Sequence, residues 1–375
     1  MRFIHTADWH LGKTLKGQSL IDDQKYILGK FLEIVDEQKV DAIIIAGDIY
    51  DRNVPPEEAV NLFDWILNEL IIKRGLHVLG IAGNHDSESR LNFGNKLFEN
   101  TKFHIRARLT DNIEPIVIND EFGEIYFSLI PYFEPSKVKA VFYLNDDEEL
   151  SFDDAARKLV DIARLKIPEG VRSVAVTHAF IVGGKESGSE RRLPGGAGVG
   201  GAELVKPYHF KDYNYTALGH LHGPTFHSQN PNVRYSGSLL KYSFDEWKQS
   251  KSVTLVEIDG EGNVSINNNL PLVPIRDVRV IKGAIQDILD NEPDSDDYIS
   301  VQYEGVNLQN LNAKMRNKFV NLLEFKPLDR VLSKALENVR QREGMSPLDL
   351  FKNFFKDTTG NDLTPEEVEV AKTVM

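Results

Sequence analysis

Alternation constrains this chain more than any other feature. Within the first hundred residues, short apolar runs trade places with longer segments of helical periodicity. Arg2–Ala7 reads as a strand, and Asp22–Gln38 carries Tyr26, Ile27, Phe31, Ile34 and Val35 near helical spacing. Val40–Ala46 and Leu76–Ala82 are apolar enough for strands covered on both faces. Between them, Pro55-Pro56-Glu57-Glu58 opens a helix with prolines and acids in its first turn; it runs to Arg74 and stops at Gly75. A β-α-β-α-β order of this kind predicts an α/β fold with a parallel sheet and right-handed crossovers.

Further strands are expected around Ile125–Ile130, Ser173–Thr177, Tyr215–Leu218, Val233–Ser236 and Val253–Ile258, with a helix over Asp153–Leu165. Gly183–Gly201 is a long loop rich in Gly and Ser, and Pro271 and Pro274 punctuate a boundary. Beyond it, Val278–Ile281, Ala284–Leu289, Tyr298–Tyr303, Asn312–Phe319 and Leu322–Phe325 predict a small strand-helix-strand-helix-strand unit. From Arg330 the chain reads as helical. A length of 375 residues suits two or three domains, and we expect them at 1–272, 273–330 and 331–375.

Lys and Arg number 44 against 57 Asp and Glu, a formal net charge of −13, which excludes a blanket basic surface for nucleic acid but not a local patch. With no cysteine, disulfide frameworks, thiolate zinc sites, iron–sulfur clusters and cysteine nucleophiles drop out. The N-terminal residues do not read as a signal peptide, and no apolar run approaches the roughly 18 residues of a membrane span. The expectation is a soluble, acidic, cytoplasmic protein.

Five polar patches fall where strands should end and loops begin, which is where open α/β sheets place their sites. They are Asp8-Trp9-His10, Gly47-Asp48-Ile49-Tyr50-Asp51, Gly83-Asn84-His85-Asp86, His178, and Gly219-His220-Leu221-His222. Carboxylate, imidazole and amide oxygen suit divalent manganese, iron or zinc. The i, i+2 spacing of Asp8/His10 and His220/His222 lets two side chains point the same way from an extended segment. The glycines at 47, 83 and 219 let the backbone turn beside the ions. A carboxylate between two histidine sets can bridge two metals, the arrangement that clamps both oxygens of a phosphoryl displacement. His5, His77, His104, His209 and His227 have no partner at ligand spacing and read as structural or surface residues.

In this order the patches D-x-H, G-D-x-x-D, G-N-H-D, a lone His and G-H-x-H resemble the calcineurin-like metallophosphoesterase superfamily. His5-Thr-Ala-Asp-Trp-His-Leu-Gly12 and Gly183-Gly-Lys-Glu-Ser-Gly-Ser-Glu-Arg191 are similar, more narrowly, to the SbcD-like family of double-strand-break repair nuclease subunits. That resemblance covers the whole chain, more loosely beyond about residue 240. It implies a metallophosphoesterase β-sandwich flanked by helices (1–272), a small α+β capping domain that contacts DNA (273–330) and C-terminal partner-binding helices (331–375). It implies two divalent metal ions, manganese(II) by preference. Asp8, His10, Asp48 and His222 would hold one; Asp48, Asn84, His178 and His220 would hold the other, with Asp48 bridging. His85 would stabilise the transition state or protonate the leaving oxygen, and Asp51 and Asp86 would orient ligands. The implied activity is 3'-5' exonuclease action on double strands and endonuclease action on single strands and hairpins. The implied partners are DNA, an SbcC-type coiled-coil ATPase and a second copy of the chain, giving a homodimer within a heterotetramer. The implied setting is DNA end processing, repair, recombination and replication.

Other features weigh less. Asp51-Arg52-Asn53 departs from the Asp-Arg-Gly of serine/threonine phosphatases at Asn53. Gly196-x-Gly198-x-x-Gly201 follows no clear strand and is read as loop rather than cofactor site. Ser346-Pro347 and Thr364-Pro365 start two helices, Thr364 and Glu367 make a capping box, and Gly360 ends the first. Leu348, Phe351 and Phe355 form an apolar stripe with Leu350 and Phe354 beside it, which suits docking on its own domain or a groove on another chain; the resemblance favours the second, with the ATPase as partner. The wide apolar arc of Glu57–Arg74 suits a homodimer contact or a helix buried in its own domain. Rival functions are a small-substrate phosphoesterase acting on nucleotides or phosphoproteins, and a non-catalytic scaffold.

Overall fold

The computed structural model describes residues 1–98, 101–145, 149–184, 187, 190, 204–304, 311–328, 348–349, 351–352, 355 and 362–374. The Gly196–Gly201 string, Ser346-Pro347, Leu350, Phe354, Gly360 and most of the 183–201 loop lie outside them. The chain divides into two compact units, Met1–Val278 and Arg279–Met375.

In the first unit, β1 (Arg2–Thr6) leads through a small hairpin, β2 (Thr14–Leu15) and β3 (Gln18–Ser19), into the helix Ile21–Gln38. Then come β4 (Ala42–Ile45), the helix Glu57–Leu67, β5 (His77–Ile81), β6 (Phe103–Arg106), β7 (Ile116–Asp120) and β8 (Gly123–Ile130). After the helix Phe152–Arg164 follow β9 (Arg172–His178), β10 (Tyr215–Gly219), β11 (Thr225–His227), β12 (Asn230–Tyr235), β13 (Ser252–Ile258) and β14 (Val264–Pro271). Two six-stranded sheets result, ordered β14-β13-β1-β4-β5-β6 and β11-β12-β10-β9-β8-β7. The expected parallel run is there: β1, β4, β5 and β6 pair in parallel, and β13 adds antiparallel to β1.

The two sheets share one core. Phe3, Ile44, Leu79 and Val256 of the first sheet meet Phe127, Val174, Val176 and Tyr215 of the second. Phe3 packs edge-on to Phe127 at 6.1 Å and to Tyr215 at 5.8 Å. The outer face of the second sheet takes the helix Phe152–Arg164 through Ala155, Ala156, Leu159 and Ala163. On the first sheet's outer side, Phe63 of the helix Glu57–Leu67 meets Phe103 and Trp9 at 6.4 and 6.3 Å. This is a sandwich with helices outside, the α/β class expected. One difference lies in the segment expected as a single helix to Arg74: the α-helix stops at Leu67, and Asn68–Lys73 continues as π-helix before Gly75.

The second unit carries β15 (Val278–Ala284), β16 (Tyr298–Glu304) and β17 (Leu322–Pro327) in one sheet, with helices Ile285–Asn291 and Leu311–Lys318. Ile281, Ile285, Ile288, Ile299, Val301, Met315, Phe319 and Leu322 form its core. Near the C-terminus, Thr364 and Glu367 exchange the capping-box bonds that start the helix Pro365–Val374.

Phe127 is fully buried where the two sheets meet. Phe127→Ala is expected to lower unfolding free energy by about 3–5 kcal/mol, read from the urea midpoint. A loss under about 1 kcal/mol would contradict a shared inter-sheet core.

Candidate metal centre

All five patches gather at one end of the sandwich. β1, β4 and β5 deliver Asp8/His10, Asp48 and Asn84/His85; β9 and β10 of the other sheet deliver His178 and His220/His222. The loops are laced by backbone bonds, Asp8 N–H to the Gly47 carbonyl at 3.0 Å and His10 N–H to the Asp48 carbonyl at 2.9 Å. Asp8, His10, Asp48 and His220 hold positive φ angles of 53°, 44°, 50° and 110°. Non-glycine residues adopt these at a cost of about 1–3 kcal/mol each, and such strain concentrates at functional sites. Of the flanking glycines, Gly47 turns as expected, with a φ of 91°, whereas Gly83 and Gly219 serve by yielding space. A Cβ on Gly83 would sit 2.1 Å from Asp48 Oδ1, and one on Gly219 would sit 1.9 Å from the Ala46 carbonyl.

Asp48 is the meeting point. Its Oδ1 accepts the His85 backbone N–H at 2.9 Å, and its Oδ2 lies 3.6 Å from both His10 Nε2 and His178 Nε2. His10 Nε2 faces His222 Nε2 at 3.0 Å. Asp8, fully buried, accepts the His220 N–H at 3.0 Å. Asp8, His10 and His222 offer ligand atoms within 4.8 Å of one another, as do Asp8, Asp48 and His178. A third such group joins His10, His85 and Asp51. His220 stands outside these groups but stacks edge-on to His178 at 5.5 Å. His5 lies apart from the cluster, buried, with its ring nitrogens on Tyr215 Oη and the Leu218 carbonyl.

The donor chemistry fits cations. His178 Nδ1 donates to the Ala46 carbonyl at 3.0 Å, which can only accept, so Nε2 presents a lone pair. That lone pair faces Asn84 Oδ1, another acceptor, at 2.9 Å. His85 Nδ1 likewise donates to the Asp51 carbonyl at 2.7 Å, leaving its buried Nε2 without a hydrogen-bond partner among the described residues. Electron pairs converging in a dry pocket are what a divalent ion satisfies. The titration of these groups reflects the same crowding. Burial lowers His178 to about 4 despite the Asp48 carboxylate, and burial with the neighbouring imidazoles presses His10 well below its ordinary value. Burial, with Asp48 beside it, holds Asp8 well above the usual carboxylate range.

Several supporting residues carry no motif signal. Gln24 donates to the His10 carbonyl at 2.8 Å and accepts the Gly12 N–H at 2.9 Å, clamping the first loop. Fully buried Glu246 accepts from His222 Nδ1 at 3.3 Å and pairs with buried Lys251. Both lie beyond the five patches with no local pattern to mark them. Asp86, by contrast, sits inside one: its carboxylate takes the N–H groups of Ile49, Tyr50 and Gly83 at 3.1, 2.9 and 2.9 Å, tying two loops together. Burial and the Asp48 charge push it up to about 7 against those three amides. Asp51 pairs with Lys13 at 2.8 Å and stands 3.7 Å from His10 Nδ1.

Residues 1–224 match the calcineurin-like phosphoesterase family, and 274–359 match the type 5 capsule protein repressor C-terminal domain. Among characterised proteins, the chain is 33% identical over 379 residues to the D subunit of nuclease SbcCD from Staphylococcus epidermidis, covering 99% of this chain and 97% of that one. Among solved structures, TT1561 of Thermus thermophilus aligns with a TM-score of 0.38 at 13% identity, over 71% of this chain and 98% of its own. The phosphoesterase YfkN of Bacillus subtilis aligns with a TM-score of 0.40 at 13% identity, over 72% of this chain and 88% of its own.

Two outcomes follow from the geometry. Gly83→Ala forces both the carboxylate and the backbone N–H of Asp48 to move, so the variant, where circular dichroism shows it folded, should bind manganese(II) at least about tenfold more weakly by calorimetry. Unchanged binding would show that Asp48 has room to spare. The second concerns acid. A histidine lowered in the folded state contributes stability above its unfolded value of 6.5 and loses it as pH falls towards the folded value, about 4 for His178. The metal-free protein is therefore expected to melt progressively lower between pH 6.5 and 4, with His178→Asn flattening that slope. A melting temperature that holds steady across this window would contradict the buried neutral imidazoles.

Proposed function

The chain belongs to the calcineurin-like phosphoesterase family and, within it, to the SbcD family of nuclease subunits, and from that premise we propose that it cleaves DNA as the nuclease subunit of a two-component complex. It hydrolyses phosphodiesters with two divalent ions, manganese(II) by preference. It trims double-stranded ends 3'-5' and cuts single strands and hairpins. Its partner is an SbcC-type coiled-coil ATPase, and the setting is cytoplasmic DNA end processing, repair and recombination. The observation that supports this reading most is the convergence of His10 and His178 on one oxygen of Asp48, at 3.6 Å each. A single carboxylate placed between two imidazole sets suits a pair of ions better than one.

The residues take the following roles. Asp8, His10, Asp48 and His222 hold one ion; Asp48, Asn84, His178 and His220 hold the other. Such a pair supplies an activated water and neutralises charge on the phosphate in the transition state. Asp86 keeps the second and third loops in register by holding three of their amides. Asp48 is kept from rotating by the His85 backbone N–H. His85 is left out of both ligand sets. Its Nδ1 is tied to the Asp51 carbonyl, so a proton on Nε2 makes the ring a cation aimed at the cluster. In that form it stabilises the charged phosphate or passes the proton to the leaving oxygen.

Assembly is read from exposed apolar surface. Ile72, Phe93 and Leu97 of the first unit are 75%, 85% and 79% exposed, which suits a homodimer. The C-terminal Leu348, Phe351 and Phe355 would seat in the ATPase; the rings of Phe351 and Phe355 lie 6.5 Å apart. Among the described residues no helix is long and apolar enough to cross a membrane. A second unit beyond the phosphoesterase unit favours a macromolecular substrate over a small one.

The test is turnover of end-labelled duplex, hairpin, plasmid and mononucleotide ester with manganese(II). DNA should be cleaved and the mononucleotide left nearly intact; the reverse preference would favour the small-substrate reading. His85→Ala should reduce cleavage by about 10²–10⁴-fold while binding two ions. An ion lost in that variant would make His85 a ligand instead.

A further inference from the structure

Behind His222 lies a layer of buried charge. The ring uses its two nitrogens on opposite sides: Nε2 faces His10 Nε2 at 3.0 Å, and Nδ1 meets Glu246 Oε1 at 3.3 Å. Glu246 is fully buried, and each of its oxygens accepts from a group that can only donate. Oε1 accepts the Tyr242 backbone N–H at 3.2 Å, and Oε2 accepts Lys251 Nζ. A carboxylate in this setting is ionised and can only accept, so it selects the His222 tautomer with the proton on Nδ1. Lys251 grips the same residue from its other end. Its three N–H groups are shared between Glu246 Oε2 and three further acceptors, the His222 carbonyl at 2.7 Å, Gln249 Oε1 at 2.7 Å and Ser238 Oγ at 2.9 Å. The ring nitrogen and the carbonyl of His222 are thus both held by this ion pair, while the His222 N–H donates to Glu190 Oε1 at 3.0 Å.

His178 and His85 are held differently. His178 Nδ1 and His85 Nδ1 donate to the neutral carbonyls of Ala46 and Asp51. A neutral carbonyl orients a ring, whereas a carboxylate also makes its far nitrogen a better electron-pair donor. Isolated, a buried carboxylate would be costly; Lys251 offsets that cost without touching the ring.

We infer that Glu246 and Lys251 are a positioning pair that fixes His222 as an Nε2 ligand and makes the ion site on the His10–His222 side the tighter of the two. This rests on the two-metal reading above and deepens it: the two sites are unequal by construction, and the inequality is set by residues outside every ligand motif.

The test uses the full chain and three proteins: wild type, Glu246→Gln and Glu246→Ala. In metal-free protein labelled with ¹⁵N-histidine, long-range ¹H–¹⁵N spectra report the tautomer directly. His222 should be Nδ1–H in the wild type and should become a mixture in Glu246→Ala. Calorimetric titration with manganese(II) should give two separable steps in the wild type. In Glu246→Gln the tighter step should weaken about 10–100-fold while the weaker one changes by less than about twofold. Equal weakening of both steps, no weakening of either, or a single Nδ1–H tautomer in Glu246→Ala would overturn the inference. If Glu246→Ala does not fold, the near-isosteric Glu246→Gln still decides the matter through the affinity split. A wild type that binds no ion would refute the two-metal reading instead, and the tautomer spectra would still decide whether Glu246 positions His222.

Discussion

One buried carboxylate, Asp48, sets the terms for the rest of the first unit. Its backbone is left-handed, Gly83 makes room for its side chain, and its oxygens reach groups from three other loops. Charge in a dry interior is costly unless it is paired, and what Asp48 meets here is one backbone amide and imidazole nitrogens rather than a fixed cation of the chain. Burial of the acids and the depressed imidazoles are two faces of the same arrangement. The polypeptide gathers electron-pair donors that repel one another, and the sandwich must hold them together until ions do.

The architecture explains how it can. Parallel strands end together, so β1, β4 and β5 bring three loops to one edge, and β9 and β10 of the second sheet bring two more to the same place. Strain is taken up locally, in four non-glycine residues with positive φ at the centre. It is opposed by the inter-sheet core around Phe3, Phe127 and Tyr215, which locks the two sheets face to face. Asp86 and Gln24 then fasten loops that would otherwise spring apart.

Much of this is legible in the residues. The apolar runs at 42–45 and 77–81 are strands because both faces are covered, and continuous apolar runs reveal that without periodicity. The five patches stand out because metal-ligating side chains recur at strand ends. Less visible are β6, β7 and β14, which lie at or near sheet edges and mix polar with apolar residues; Val264–Pro271 contains three successive asparagines. The π-helical stretch Asn68–Lys73 keeps an apolar pattern that reads as ordinary helix. Gly83 reads as a turn former, but its place depends on the Asp48 side chain across from it, a tertiary fact. Glu246 and Lys251 fall in this class too: they matter through what they touch, 24 and 29 residues from His222 in the chain.

The central claim is that Asp48 joins two ion sites into one centre. Manganese(II) stoichiometry of the wild type and of Asp48→Ala, measured by equilibrium dialysis with metal analysis, tests it most directly. The account predicts two ions per wild-type chain and the loss of both, or their binding too weak to retain, in Asp48→Ala. A variant that keeps one ion at wild-type affinity would show that the carboxylate belongs to a single site, and the bridged centre would be wrong.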